Sequence, residues 1–403
     1  MKEITAPAVR GKGFTAPWEQ RKFGDFVYRE STSRLSSDEF PSVEYEDIVP
    51  ELGQLNKDIR TKNTKKTGIV FDDNKVLYGK LRPYLHNWIA PKFNGVAVGD
   101  WWVLNPCDMD RYFLYALIQT EKFDTIANLS TGSKMPRADW KLVASTNFFV
   151  PSIEEQKKIG NYFQDLDNLI TLHQRKLDQQ KKLKKYFLQN MFPAQGGKVP
   201  RIRFKGFTGD WEERKLGEIA DVTKLAGFEF TKYVVYSDEG NFIAVRGLNV
   251  KNGQLILNDV KYIDGSNFSK LTRSKLIADD IIFTYVGTVG EVAIIKEDDR
   301  FYLAPNVARI RVQSDDSPKF VSHYMRTSSF YQNVIFPLIA TSSQPALSME
   351  NIRKFEICLP KENEEQDSIS DYLDKMDNLI ALHQRKLDQL QTMKTYMLQN
   401  MFI

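Results

Sequence analysis

The sequence predicts an α+β protein. Two pseudo-symmetric, mixed α/β globular parts are each followed by a long helix, and the two helices pair as an antiparallel coiled coil. Three observations carry this. "DNLITLHQRKLDQQKKLKKYFLQNMF" (167–192) returns almost verbatim as "DNLIALHQRKLDQLQTMKTYMLQNMF" (377–402). "GFTAPWEQRKFGDF" from Gly13 returns as "GFTGDWEERKLGEI" from Gly206. Between these markers the two halves diverge into short β-branched and aromatic runs bounded by Gly, Asn and Asp.

A chain of 403 residues exceeds one ordinary core and fits two to three domains. Its 42% hydrophobic and 27% charged residues exclude a disordered chain. No run of about 18 apolar residues is present, so no membrane span is expected. The opening "MKEITAPAVRGKGF" lacks the apolar core of a secretory signal. Cys107 and Cys358 lie far apart and outside any C-x-x-C pattern. Neither zinc nor a disulfide framework is therefore expected, and a reducing cytoplasm fits. The formal net charge of +4 permits a nucleic-acid partner without demanding one.

Taken in order, residues 1–150 form the first globular part. "DFVYRE", "GIVFDD", "KVLYGKL" and "GVAVGDWWVL" read as strands, and Asp110–Leu129 reads as one amphipathic helix. Residues 151–193 form the first long helix. Pro151 stands just ahead of it, and Glu154 and Glu155 fill the first turn, where the helix dipole favours them. Ile159, Phe163, Leu166, Ile170, His173, Leu177, Gln180, Phe187 and Met191 recur at steps of three and four, the pattern of a coiled-coil seam. A Pro/Gly linker, 194–200, hands over to the second globular part, 201–359. There "NFIAVRGL", "DIIFTYVG", "EVAIIKE" and "VARIRVQ" read as strands, and Pro318–Ile335 as a helix. "YVGTVGEV" (285–292) has glycines at the wrong spacing for a dinucleotide loop and reads as strand-turn-strand.

The second long helix, 360–403, repeats the first. It has Pro360, Glu364 and Glu365 at its start and a seam of Ile369, Leu373, Met376, Ile380, His383, Leu387, Leu390, Met397 and Met401. Lys184 and Lys394 interrupt the seams at matching places. His173 and His383 are expected to face each other as a polar layer that fixes register. The second globular part joins the end of one helix to the start of the other, which an antiparallel pair satisfies with short connections. Each helix is roughly 55 Å long at about 1.5 Å per residue. Two readers held at a set reach suit a polymer with two half-sites, such as DNA sites about 34–36 Å apart.

The chain resembles, along its whole length, the specificity subunit of type I restriction–modification enzymes. "RIRFKGFTGDWEERKLGEIADV" (201–222), "LYGKLRPYL" (77–85), "TSSQPALS" (341–348), "CLPKENEEQ" (358–366) and the paired "HQRKLDQ … LQNMF" helices carry the resemblance. It implies a non-catalytic subunit with two target recognition domains, each reading half of a bipartite double-stranded DNA target. It further implies two helices that space the domains and dock two modification subunits. S-adenosylmethionine, ATP and Mg would be held by the modification and restriction subunits, with no cofactor in this chain.

The residues agree as far as they go. A phosphate-cradling G-x-x-x-x-G-K-[ST] run is missing, and "LNPCD" lacks the second Pro and the aromatic of an adenine methyltransferase run. Candidate DNA contacts in the first half are Lys57, Arg60, Lys62, Lys65 and Lys66 in a loop-like stretch, Lys80, Arg82 and Tyr84 at a strand end, and Lys134 and Arg137 after "TGS". In the second half they are Arg246, Lys251, Arg273, Lys275, Tyr285 and Gln344. Candidate partner-docking residues are the repeated outward Gln174, Arg175, Lys176, Asp178, Gln189 and Asn190, with Gln384, Arg385, Lys386, Asp388, Gln399 and Asn400. A merely solvated face is free to drift between two copies, and this one has not. Two other readings stay open: a self-contained DNA methyltransferase or nuclease, and a coiled-coil scaffold that touches no DNA.

Overall fold

Two 38-residue helices, Ile153–Asn190 and Asn363–Asn400, organise the computed structural model of the protein. Residues 6–62, 65–129, 135–194, 196–339 and 345–403 are described. The chain folds as two units. One comprises residues 1–177 with 382–403 and the other residues 178–381, so each long helix gives one part of its length to each unit.

The start of each helix is stitched into its own unit by the same side chains. In the first unit Arg10 donates two hydrogen bonds to Glu155, both 2.7 Å. In the second Arg203 does so to Glu365, at 2.7 and 2.8 Å. Glu155 and Glu365, expected in the first turn because the helix dipole favours them, are thus each also half of a bidentate ion pair. One residue on, Gln156 donates to the Pro151 carbonyl and accepts from the Asp110 N–H. Gln366 repeats this with Pro360 and Ser317.

Within the first unit the early part of the central helix lies along the late part of the C-terminal helix. Asp167 pairs with Lys394 at 2.7 Å, and His173 Nδ1 lies 3.1 Å from His383 Nδ1. Within the second unit Lys184 pairs with Asp377, and Phe187 packs edge-on against Tyr372 at 5.0 Å. Early residues of one helix meet late residues of the other, so each pairing is antiparallel. The expected seam is buried at Ile159, Phe163, Leu166, Ile170 and Leu177, and at Ile369, Leu373, Met376, Leu387 and Leu390. The interrupting lysines Lys184 and Lys394 sit in the seam, each closed by an aspartate of the facing helix.

The main antiparallel sheet repeats strand for strand. The first unit has an antiparallel sheet in the spatial order Val27–Arg29, Trp101–Pro106, Val76–Gly79, Trp88–Ile89. The second has Ala220–Lys224, Val307–Val312, Ile281–Thr284, Val292–Ile294 in the same arrangement. Beside them lie Ser33–Leu35, Thr67–Phe71, Gly95–Ala97, Ser42–Val43 in the first unit, and Lys261–Tyr262, Ile243–Val245, Phe301–Leu303 in the second, each with one parallel pairing. A two-strand ribbon ties the front of each globular part to the approach of its helix: Glu19–Lys22 with Asn147–Val150, and Glu212–Lys215 with Glu356–Leu359.

Three sequence expectations need correction. "GVAVGDWWVL" is two strands, broken where Gly99 takes φ +99°. The helix expected over 110–129 is two, Arg111–Leu117 and Glu121–Ala127, because the Thr120 side chain accepts from the Phe123 N–H and caps a new start. The helix expected over 318–335 breaks after Met325 for the same reason, with Thr327 capping Phe330.

Gly160 marks the tightest approach of helix to domain. A Cβ there would lie 2.5 Å from Asp110 Oδ1 and 2.7 Å from the Phe113 nitrogen. In an exposed helix Gly→Ala adds about 1 kcal/mol of stability. Here Gly160→Ala is expected to lower the thermal midpoint of the full chain by several degrees, followed by circular dichroism. A raised midpoint would show that the helix backs away from residues 110–113 at no cost.

Candidate nucleic-acid interface

At one edge, both units build the same backbone frame. Lys80 N–H donates to the Asp100 carbonyl at 2.9 Å, and Tyr285 N–H to the Asn306 carbonyl at 3.1 Å. Arg82 N–H reaches the Pro136 carbonyl at 2.7 Å, and Gly287 N–H the Pro345 carbonyl at 2.9 Å. Ala138 N–H returns to Lys80, and Leu347 N–H to Tyr285, both at 2.8 Å. Single bridges, Leu81 with Arg137 and Val286 with Ala346, complete the frame. A turn closes beside it in each unit, where Asp47 accepts from the Glu44 N–H and Asn249 from the Arg246 N–H.

The side chains on this frame differ. In the first unit Asp100 takes two N–H groups of Arg137, at 3.3 and 3.1 Å, and faces Lys80 at 3.5 Å. The Arg137 hydrogen bonds hold the Asp100 carboxyl below its usual range. Tyr45 stands edge-on to Trp101 at 4.6 Å, and its hydroxyl donates to the Asp100 carbonyl and accepts from the Leu81 N–H. Burial pushes its phenol upward. The second unit has Gly247 at the matching turn position, Asn306 where the first has Asp100, and Arg246 where the first has Glu44.

The candidate DNA contacts divide accordingly. Lys80, Arg82 and Arg137 come together on the first frame, and Tyr285 lies on the second with Arg246 beside it. Arg82 adopts a left-handed φ of 50°, and its buried Nε has no partner; Tyr84 is 52% exposed. Lys57, Lys62 and Lys66 surround the neighbouring turn and are held by Glu44, Glu46 and Asp47. Burial raises the Asp47 and Glu44 carboxyls, but the lysine hydrogen bonds outweigh it and leave both below the usual range. Arg60 and Lys65 are exposed and line a cavity with Ser36 and Ser42. In the second unit Arg246 pairs with Asp259, Arg273 with Glu229 and Lys275 with Asp299, while Lys251 is exposed on a separate hairpin and Tyr285 is buried. Lys134 and Gln344 lie outside the described residues. Sequence reading missed Asp100, Tyr45 and Asn306. Their one local signal is position: Asp100 and Asn306 each immediately precede a central strand.

On the long helices, Arg175, Lys176, Asp178 and Gln189 are exposed, with Gln174 and Asn190 half-buried. Arg385, Lys386, Asp388, Gln399, Gln384 and Asn400 repeat this exposure. The outward faces also carry apolar residues that sequence reading passed over: Leu169, Leu172, Leu183 and Tyr186 on one helix, and Leu379, Leu382, Met393 and Tyr396 on the other, all 38–53% exposed. Their spacing of 3, 11 and 3 residues puts each set on one stripe.

A buried polar network ties the second unit to its helices. His323 Nε2 donates to Asp374 at 2.9 Å, and its Nδ1 accepts from Arg326 at 3.3 Å, which fixes a neutral tautomer. Arg326 also reaches Asp377, which holds Lys184 as well. Burial pushes the Lys184 ammonium down to about 8. His323, Asp374 and Asp377 offer ligand atoms within 4.8 Å of one another. They do not fit a cation: both His323 nitrogens are engaged, and the Asp377 oxygens are taken by Lys184 and Arg326. Among the described residues, the first unit has only the Asp167–Lys394 pair in the matching seam position.

One sheet frame used twice, with different side chains at the same edge, defines a two-headed recognition protein. Residues 16–182 and 208–392 each match the type I restriction modification DNA specificity domain, and the chain belongs to that family. The specificity subunit of the type I restriction enzyme MjaVIII from Methanocaldococcus jannaschii is 23% identical over 421 residues, covering 98% of this chain and 94% of that one. The EcoBI specificity subunit of Escherichia coli is 23% identical over 125 residues, 31% of this chain and 26% of that one. Among solved structures, the S subunit of a type I restriction–modification system from M. genitalium superposes with a TM-score of 0.67 at 14% identity, covering 99% of both chains. A chain from a study of complex assembly and conformational transition in the type I system gives 0.50 at 16% identity, covering 96% of this chain and 98% of that one. These likenesses show the fold. Among the described residues no helix is long and apolar enough to cross a membrane.

The polar network makes the second unit sensitive to acid. Burial holds His323 below the usual imidazole range, against the pull of Asp374 and with Arg326 and Lys184 adding to it. Below about pH 6.5 the unfolded chain takes up a proton that the folded unit refuses, so stability falls as pH drops, by at most about 1.4 kcal/mol per pH unit. The thermal midpoint is expected to decline between pH 7 and 5.5, and His323→Gln to flatten that decline. An unchanged slope in the variant would remove His323 as the cause.

Proposed function

We propose that this chain is the DNA-specificity subunit of a type I restriction–modification complex in the cytoplasm. Each sheet domain reads one half of a bipartite duplex target, and the paired helices set the unread gap. The observation that carries this reading is the twice-built edge, one backbone frame with exchanged side chains. Two different half-sites need two readers of common architecture and separate chemistry. The subunit is non-catalytic: the frames hold arginine, lysine, asparagine and carboxylate groups suited to base edges and phosphates. S-adenosylmethionine, ATP and Mg act on the partner subunits.

The helix faces support docking of two modification subunits, with restriction subunits joining the complex. The same polar residues and the same apolar stripe occur on both helices, and two equal faces suit two equal partners. The stripes supply aromatic and aliphatic anchors within a polar surround, the anatomy of a protein interface.

Two outcomes test this. Replacing residues 14–150 with those of another family member is expected to change one half of the methylated sequence only, read by methylome sequencing of a host carrying the chain and its modification subunit. Alteration of both halves would defeat independent reading. Tyr186→Glu is expected to leave one modification subunit bound and Tyr186→Glu with Tyr396→Glu to leave none, with at least about tenfold weaker binding per site. Native mass spectrometry gives the stoichiometry, and two subunits retained by the double variant would exclude this face.

A further inference from the structure

We infer that the duplicated edge is where each domain discriminates base pairs, the first through Arg137 held by Asp100, the second through Asn306 at the mouth of a groove. The inference rests on the DNA reading proposed above and names its chemistry.

In the second domain the edge is open. Gly247 stands where Tyr45 fills the first domain, and a Cβ at Gly247 would meet nothing closer than 4.0 Å. An open groove of about 390 Å³ results, lined by Tyr236, Arg246, Leu248, Thr288 and Asn306 among others. Asn306 is exposed at a left-handed φ of 73°, set by the frame rather than by its side chain. Its amide offers one acceptor and two donors, the pattern that pairs with the N6 and N7 edge of adenine. Arg246 lines the same groove, with its guanidinium held in place by Asp259. Leu248, 55% exposed on the rim, offers apolar contact to a thymine methyl.

In the first domain Tyr45 plugs the equivalent space, so reading falls to the rim. Arg137 is 55% exposed, and Asp100 clamps its Nε and one terminal nitrogen. The clamp leaves the outer fork of the guanidinium pointing away from Asp100. A fork held in one orientation matches the O6 and N7 of guanine, and Lys80 beside it adds a second donor. Asp100 is a positioning residue here. The expectation is a G·C pair at the position read by the first domain and an A·T pair at that read by the second.

The test is selection from a random 30-base-pair duplex pool by the full chain in complex with its modification subunit. Asn306→Gly keeps the left-handed backbone, and it is expected to relax one A·T position in one half-site by about tenfold to a hundredfold. Arg137→Lys keeps the charge but loses the fork, and it is expected to relax one G·C position in the other half-site by a similar factor, with thermal midpoints held. Selected sequences identical to wild type in both variants would overturn the inference while leaving DNA reading intact. Loss of overall affinity without relaxation at one position would reassign these residues to phosphate contact and also overturn it. A wild-type complex that selects no sequence would defeat the underlying reading instead.

Discussion

Each unit depends on an aromatic ring delivered by the far end of a long helix. Phe402 closes the first core, against Phe113 at 5.3 Å, Phe163 at 5.9 Å and Trp18 at 6.3 Å. Phe192 closes the second, against Phe320 at 5.4 Å, Tyr324 at 5.6 Å and Trp211 at 6.4 Å. Phe192 is buried and Phe402 half-buried; full burial of a phenylalanine contributes about 1.5–3 kcal/mol, and well-placed ring pairs add about 0.5–1.5 kcal/mol each. Phe402 arrives only because the C-terminal helix runs back into a unit begun by residues 1–177. The first core is therefore not complete from one contiguous segment, whereas the second is drawn from the continuous stretch 178–381 and takes its ring from the start of that stretch. The ion pairs Arg10–Glu155 and Arg203–Glu365 then lock the other end of each helix, where a misplaced carboxylate would be buried without its partner.

Much of this was written locally. Seam periodicity, the Pro and Glu residues at the helix starts and the 167/377 repetition are short-range signals, and each survives into the structure. Thr120 and Thr327 were not legible, because a capping threonine inside an amphipathic run leaves the hydrophobic period almost untouched while restarting the helix. The lysine-rich stretch from Lys57 to Lys66 was legible as basic but not as paired. Its carboxylates, Glu44 and Asp47, come from a turn 10 to 22 positions earlier, and only the fold brings them near. Clustered cations in a sequence overstate the charge a partner meets, since folding matches them to acids wherever burial would otherwise leave a carboxylate alone.

The two polar layers along the seams show how far the copies have separated. Among the described residues, Asp167–Lys394 in the first unit has no such network around it, whereas Lys184–Asp377 joins Arg326, His323 and Asp374 in the second. The difference arises on the short helix Pro318–Met325 and the turn after it, where the first unit's matching positions are Ala116 and Gln119. A polar seam residue fixes register at some cost in stability, and the second unit has tied that register to its sheet domain as well.

The duplicated edge keeps its frame, and the reason is physical. Its frame is held by main-chain N–H to carbonyl bonds: 80 to 100, 82 to 136 and 138 to 80 in one copy, and 285 to 306, 287 to 345 and 347 to 285 in the other. Such bonds are indifferent to side-chain identity. Tyr45 can give way to Gly247, and Asp100 to Asn306, with the scaffold unchanged. At the helix starts, where Glu155 and Glu365 hold the structure, the copies agree; at the backbone-held edge the frame is kept while the side chains diverge. Divergence at backbone-held positions suits a duplicated domain, because side chains at the edge can then change one residue at a time without disturbing the hydrogen-bonded frame.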